Sequence, residues 1–147
     1  MDFVAKAFCD LTLDELYDLL RLRAEVFVVE QSCAYQDLDG LDREATHLLG
    51  VEEGRIEACA RWYPEADHVH LGRIATSRRL RGRGHGRRLV AEALRWIADE
   101  HPGEPILIHA QTYLDDFYRG YGFEPRGEPF DMDGIPHVVM VRNSDFS

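Results

Sequence analysis

No apolar run in this chain approaches the roughly 18 residues that carry a helix through a bilayer, so no helical membrane span is expected. The N-terminus, with Asp2 directly after Met1, lacks the basic-then-apolar pattern of a secretory signal. Cysteine is scarce. Cys9, Cys33 and Cys59 are odd in number, far apart and in no metal-ligand spacing, which argues against a disulfide framework and a thiolate metal centre. They read as reduced thiols, two of them packing residues in apolar runs. With the missing signal, they predict a cytoplasmic protein. Lysine is nearly absent, Lys6 being the only one, and that removes the Gly-Lys-Ser/Thr of a P-loop. Repeats, low-complexity stretches and linkers are also lacking. The 147 residues, 45% of them apolar, are therefore expected to form a single domain, 1–147, with its own core.

Charge is abundant but uneven. The net charge of −10 argues against general affinity for nucleic acid or anionic lipid. Yet Arg78, Arg79, Arg81, Arg83, Arg87 and Arg88 stand together with no acid among them. Of 17 basic residues this leaves 11 elsewhere against 27 acidic ones, a balance of −16. A cationic island on an anionic body suits a small polyanion better than a long polymer.

Thr12 and Glu15 form a capping box that opens a helix, with Leu13, Leu16, Tyr17, Leu19 and Leu20 at helical spacing and an end near Val26. A short strand around Phe3, Val4 and Phe8 precedes it, and an acidic loop, 33–42, follows it. Strands are predicted over 47–52 and 55–63, joined by a hairpin at Glu53-Gly54, and over 69–76. Leu89, Val90, Ala93, Leu94 and Ile97 mark one face of a second helix, which stops before His101-Pro102-Gly103. A buried strand over 105–110, a short helix over 114–121, and strands near 123–126 and 137–142 complete the chain. The order β-α-β-β-β-α-β-α-β-β implies an α/β (α+β) fold, a mixed sheet covered on both faces.

The segment between the third strand of that run and the second long helix carries the chemistry. Gly82, Gly84 and Gly86 alternate where strand gives way to helix. Glycine lets the backbone approach a ligand and adopt positive φ, so successive N–H groups can converge on one anion. The helix that follows directs the positive end of its dipole at the same place, and the interspersed arginines add charged donors. Together these describe a pyrophosphate cradle. The spacing Gly-x-Gly-x-Gly differs from the dinucleotide fingerprint Gly-x-Gly-x-x-Gly.

Arg81-x-x-Gly84-x-Gly86 resembles the acyl-CoA pyrophosphate loop of the GNAT N-acetyltransferases, and Tyr118-x-x-x-Gly122-Phe123 resembles the family's second marker. Arg23-x-x-Val26-Phe27-Val28-Val29-Glu30-Gln31, Tyr35-x-Asp37-x-Asp39 and Gly134-Ile135-Pro136-His137 are similar to its ElaA-like branch. The likeness covers essentially the whole chain. It departs at His85, where the family is usually aliphatic, and at Arg78, where proline is common. Neither removes a backbone donor.

The resemblance implies a mostly antiparallel sheet of six to seven strands and acetyl-CoA as co-substrate, without a metal. It places the pyrophosphate on the main chain of Gly82, Arg83, Gly84, His85, Gly86 and Arg87, next to Arg81. Pantetheine would pair with Ile74, Ala75 and Thr76 as an added strand, between strands four and five, which splay apart in the family. An N–H near Ile74 would polarise the thioester carbonyl, an effect of about 3 kcal/mol per donor. Gln111 takes the place of a CoA-contacting asparagine, and Tyr118 that of the general acid, its phenol titrating near pH 10 when unperturbed. The base is open. His70, four residues before Ile74, shares its strand face by alternation; Glu30, His47, His109 and water are alternatives.

The acidic loop carrying Asp37, Asp39 and Asp42 lacks EF-hand spacing and reads as solvated, then as a wall that attracts a cationic amine, and third as a metal site. His137 reads as structural, with a place in the lining of the acceptor pocket as the alternative. The acceptor would be a small-molecule or peptide amine, the acidic body leaning towards a cationic one. A homodimer is compatible with the family, and no residue decides it. A non-catalytic acyl-CoA sensor of the same fold is the alternative. RNA binding through the arginines is disfavoured by the surrounding acidity and the lack of nearby aromatics to stack bases.

Overall fold

The capping box forms as the sequence predicts. In the computed structural model, which describes residues 1–143, the Thr12 hydroxyl accepts from the Glu15 N–H at 3.0 Å, and the Glu15 carboxylate accepts from the Thr12 N–H at 2.9 Å. These bonds satisfy two of the orphan donors that begin helix α1 (Leu13–Arg23). Strand β1 (Asp2–Ala7) precedes α1, and β2 (Thr46–Glu52), β3 (Arg55–Pro64) and β4 (Val69–Thr76) follow it. Helix α2 (His85–Glu100), β5 (Ile106–Gln111), α3 (Asp115–Arg119), β6 (Glu124–Met132) and β7 (Ile135–Arg142) complete the predicted order. Seven strands form one sheet in the order β1-β2-β3-β4-β5-β7-β6. All neighbours are antiparallel except β4 and β5.

Glu53 and Gly54 both adopt positive φ, 52° and 77°, giving the tight hairpin expected between β2 and β3. Asp133 and Gly134 do the same between β6 and β7, at 53° and 83°. That Asp-Gly signal lengthens β6 well beyond the predicted 123–126.

Two apolar layers cover the sheet. On one face, Leu89, Val90, Ala93 and Ile97 of α2 pack on Leu48, Trp62, Val69, Leu71, Ile106, Ile108 and Met140. Each leucine, isoleucine, valine and methionine among them contributes about 1.5–3 kcal/mol through burial. On the other face, Leu19 and Leu22 of α1, with Val26, pack on Leu49, Ile56, Cys59 and Ala75. This corrects the expected face of α1: Leu13 and Tyr17 are exposed, while Leu22 and even Arg23 point inward. The helix is clamped by polar bonds, Asp18 accepting the Ile56 N–H at 2.7 Å and Arg21 donating to the Ile56 carbonyl at 2.8 Å. Near its expected end the helix widens into a π segment, Ala24–Glu30. Of the cysteines, Cys59 is buried as expected, whereas Cys9 is exposed because it lies in a surface turn before α1.

Candidate active site

Parallel pairing of β4 with β5 is limited to Val69 opposite Ile106 and His70 opposite Leu107. Beyond those pairs the strands part, and the edges of β4 and β5 that face each other have no strand partner. The cleft opens towards the C-terminal end of β4, where the glycine–arginine turn begins. Strand alternation fails inside β4. Cys59 opposes Ala75 and Arg61 opposes Gly72, so Ala60 alone faces both Arg73 and Ile74. Arg73 occupies this bulge with φ at +48°, a costly conformation for a non-glycine residue. The extra residue reverses the faces. His70 lies on the α1 side opposite Tyr63, whereas Ile74 packs into the α2-side core. The expectation that His70 and Ile74 share a face is therefore wrong.

Salt bridges hold the bulge. Arg73 pairs with Asp37 at 2.8 Å and Asp39 at 3.3 Å; Arg23 pairs with Asp37 and Asp42, both at 2.8 Å; Arg61 binds Asp42 at 2.8 Å and also Asp39. The acidic loop is thus neither a solvated loop nor an uncompensated anionic wall. Three buried or half-buried arginines neutralise its three aspartates. Burial disfavours the Asp39 charge, but bonds from Arg61 and the Leu41 N–H outweigh it and hold the carboxyl below its usual range. Tyr35 adds a bond to Asp37 at 2.6 Å and lies under the Arg73 guanidinium. The Arg23 and Tyr35-x-Asp37-x-Asp39 motifs are this network, which sequence reasoning missed. Its signal was three scattered arginines matching three aspartates in one short loop.

After β4, a short 3-10 turn, Arg78–Leu80, leads into the glycines. Gly82 and Gly84 adopt φ of 80° and 81°, and Gly84 caps α2 with no side-chain bond. Among the described residues no main-chain N–H from Gly82 to Arg87 donates a hydrogen bond. The first turn of α2 carries Arg87 and Arg88 and no acid, an unfavourable charge at the positive end of a dipole unless an anion joins it. Gly86 has ordinary helical backbone, and a Cβ there would meet nothing within 4 Å. Neither strain nor packing requires glycine at that position; the space it leaves open is on the outside. Ser77 Oγ and His85 Nδ1, beside the turn, are buried without hydrogen-bond partners among the described residues.

The arginines divide into two sets. Arg79 pairs with Glu57 at 3.3 Å, and Arg88 donates to the Met1 carbonyl at 3.0 Å. Arg81 donates to the Thr76 carbonyl at 3.1 Å and pairs with Glu30 at 2.6 Å. Arg81 is thus a brace across the turn, and Glu30 is committed to it. Arg78, Arg83 and Arg87 form no side-chain salt bridge with the described residues.

Tyr118 is buried between Phe117 and Phe123, with ring centroids 5.1 and 5.9 Å away. Gly122, at φ 90°, lets the Phe123 N–H return to the Tyr118 carbonyl at 3.2 Å, which accounts for the Gly-Phe pair. The Tyr118 hydroxyl has no hydrogen-bond partner among the described residues, and burial raises its pKa well above the usual phenol value. Gln111 ends β5, half-buried, on the strand face shared with His109.

Of the other predicted residues, His47 is buried and binds the Asp42 carbonyl at 2.9 Å, a packing role. His70 stacks on Tyr63 at 5.2 Å and meets His109 edge-on at 4.8 Å; His109 in turn meets Phe130, and Phe130 stacks on His137. This row crosses the face opposite α2. Burial first, then the neighbouring His109, lower the His70 pKa to about 4. No helix of the described residues is long and apolar enough to cross a membrane.

Comparison with known proteins agrees with this architecture. The family model described as "Acetyltransferase (GNAT) domain" matches residues 12–144. Protein ElaA of Escherichia coli is 39% identical over 138 residues, 90% of each chain, and the UPF0039 protein sll0451 of Synechocystis is 40% identical over 91% of this chain and 90% of its own. Among solved structures, an acyl-CoA N-acyltransferase from Pseudomonas aeruginosa superposes with a TM-score of 0.93 at 39% identity, covering 97% of this chain and 99% of the other. E. coli ElaA does so at 0.92 and 37%, with the same coverage. With the splayed strands, the open turn and these relatives together, the chain belongs to the GNAT acetyltransferase family, on its ElaA-like branch.

Proposed function

We propose that this chain is an acetyl-CoA-dependent N-acetyltransferase that passes the acetyl group directly to an amine. The observation that carries the reading is the run of six undonated N–H groups, Gly82 to Arg87, at the uncapped start of α2. Such a run is built to hold an anion. The missing Cβ at Gly86 leaves room for it, and Arg78, Arg83 and Arg87 are free to meet further phosphate oxygens. Arg81, tied to Thr76 and Glu30, fixes the turn's position rather than offering its guanidinium.

Main chain at Ile74, Ala75 and Thr76 lies on the unpaired edge of β4 and would receive an extended pantetheine arm as an added strand. Gln111 would meet it from β5. Bound acetyl-CoA would supply an activated thioester for attack by the amine. The bulge at Arg73, pinned by Asp37 and Asp39, sets the direction of the β4 main chain at that point. Tyr118 is protonated at neutral pH like any phenol, burial only reinforcing this, and its Oη would donate to the departing sulfur.

The acceptor would approach on the face opposite α2, along the row from Tyr63 to His137. Glu30 and His47 are engaged elsewhere, which leaves His70, His109 or water to take the amine's proton. Because the acidic loop is neutralised by its arginines, it gives no reason to favour a cationic acceptor.

The test has two stages. Calorimetry with coenzyme A should give saturable heat, and an acetyl-CoA-dependent thiol-release screen over polyamines, amino acids, aminoglycosides and peptides should identify an acceptor. No heat at saturating coenzyme A would overturn the reading. Heat without turnover on any amine would favour an acyl-CoA sensor.

A further inference from the structure

The β3–β4 hairpin, at the opposite end of β4 from the glycine turn, brings together three side chains that acetyl transfer does not need as a set. Glu65, His68 and His70 each offer one ligand-type atom, and these atoms all lie within 4.8 Å of one another. Glu65 Oε1 is 3.4 Å from His70 Nδ1 and 3.6 Å from His68 Nε2. Two ligands on one tetrahedral zinc, each bonded at about 2.0–2.1 Å, lie about 3.3–3.4 Å apart. The carboxylate–imidazole separations are therefore already close to this, and closure asks the two imidazoles, which lie within 4.8 Å, to draw together by at most about 1.4 Å.

The backbone prepares this arrangement. The Glu65 N–H donates to the His68 carbonyl at 2.8 Å, closing the turn, which sets His68 immediately before the first residue of β4 and His70 second in that strand. The His68 ring is oriented by Asp67, whose carboxylate lies 2.8 Å from Nδ1. With the proton on Nδ1, the lone pair at Nε2 points towards Glu65. A carboxylate behind a ligating imidazole is the usual outer partner at metal sites. His70 is held from behind by stacking on Tyr63.

We propose that Glu65, His68 and His70 bind a divalent transition ion, with Zn2+ as the natural occupant. Two imidazoles and one carboxylate form a zinc set that leaves a fourth position to solvent. The site is independent of the acyltransfer reading. Its link to that chemistry is His70, which would be fixed through Nδ1 when the ion is bound.

The test uses the full chain, treated with chelator and titrated with zinc chloride by calorimetry at pH 7.5. One equivalent should bind, and His68→Ala and Glu65→Gln should each weaken binding at least tenfold. Asp67→Asn should weaken it by a smaller factor. Both ligand changes lie at the exposed hairpin, and circular dichroism of each variant checks the fold. If one variant fails to fold, the other still reports. Absence of saturable binding would overturn the proposal, as would undiminished binding in both ligand variants, which would put the ion on other groups.

Discussion

Tyr118 is the residue at which packing and chemistry can be separated. Its ring is wedged between Phe117 and Phe123, while its hydroxyl bonds to none of the described residues. Tyr118→Phe therefore keeps the wedge and loses no hydrogen bond, and stability measured by urea unfolding should stay within about 0.5 kcal/mol. A general acid contributes about 100-fold or more, so turnover should drop by that order while acetyl-CoA affinity changes less than about twofold. Equal turnover in variant and parent would end the role assigned here. The tyrosine was legible in the sequence because a Gly-Phe pair follows it at fixed spacing. The arginine–aspartate network was not. Arg23, Arg61 and Arg73 lie far apart in the chain, and nothing in local periodicity says that each will find an aspartate of the same loop. Nor does it reveal that Arg23, drawn by those carboxylates, will turn into the core. The Glu65, His68 and His70 cluster was missed for a related reason. His-x-His is a weak signal by itself, and only the turn at the hairpin brings a carboxylate back to the pair.

At the scale of the element, α2 offers the sharpest contrast between stability and binding. Alanine at 86 would meet no atom within 4 Å beyond its chain neighbours and the backbone of its own helix turn, and would not disturb the helical backbone. Gly86→Ala should therefore leave stability unchanged or raise it by up to about 1 kcal/mol. Coenzyme A affinity, followed by calorimetry, should fall at least tenfold, because the added methyl would stand among the N–H donors. Unaltered affinity would mean that the glycine serves something other than ligand access. The order of the elements was legible because each carried a local signal: a capping box for α1, a 3.6-residue stripe for α2, and a Glu-Gly hairpin between β2 and β3. Two irregularities were hidden. The bulge in β4 depends on Arg73 being held by a loop about 35 residues away in sequence, and it put His70 and Ile74 on opposite faces. The π segment after α1 begins where Arg23 turns towards Asp37 and Asp42, and the apolar run Val26-Phe27-Val28-Val29 gives no sign of it.

For the molecule as a whole, buried charge makes stability depend on pH in a defined direction. Burial lowers the His47 pKa below its ordinary value of 6.5, against a smaller opposing contribution from its bond to the Asp42 carbonyl. A group depressed in the fold takes up its proton more readily when unfolded, so stability must fall as pH drops below 6.5 towards the folded-state value. Urea unfolding at pH 7.5 and at acid pH should show this loss, and His47→Gln should make it shallower by up to about 1.4 kcal/mol per pH unit, the contribution of one proton. An identical slope in the variant would assign the acid sensitivity elsewhere. The carboxyls of Asp39 and Asp42, lowered by their arginines, act in the same direction at still lower pH.

The short seam between β4 and β5 divides the sheet into a leaf of four strands and a leaf of three, bound along a spine only two residue pairs long. What fills the gap would be gripped by main-chain atoms of the lips, and main-chain atoms are the same whatever side chains they carry. Residues along the inner margins can then drift through evolution without loosening the hold on a shared donor. The outward faces, freed of that duty, can be recut for one acceptor after another, so a lineage could change its customer while keeping its currency.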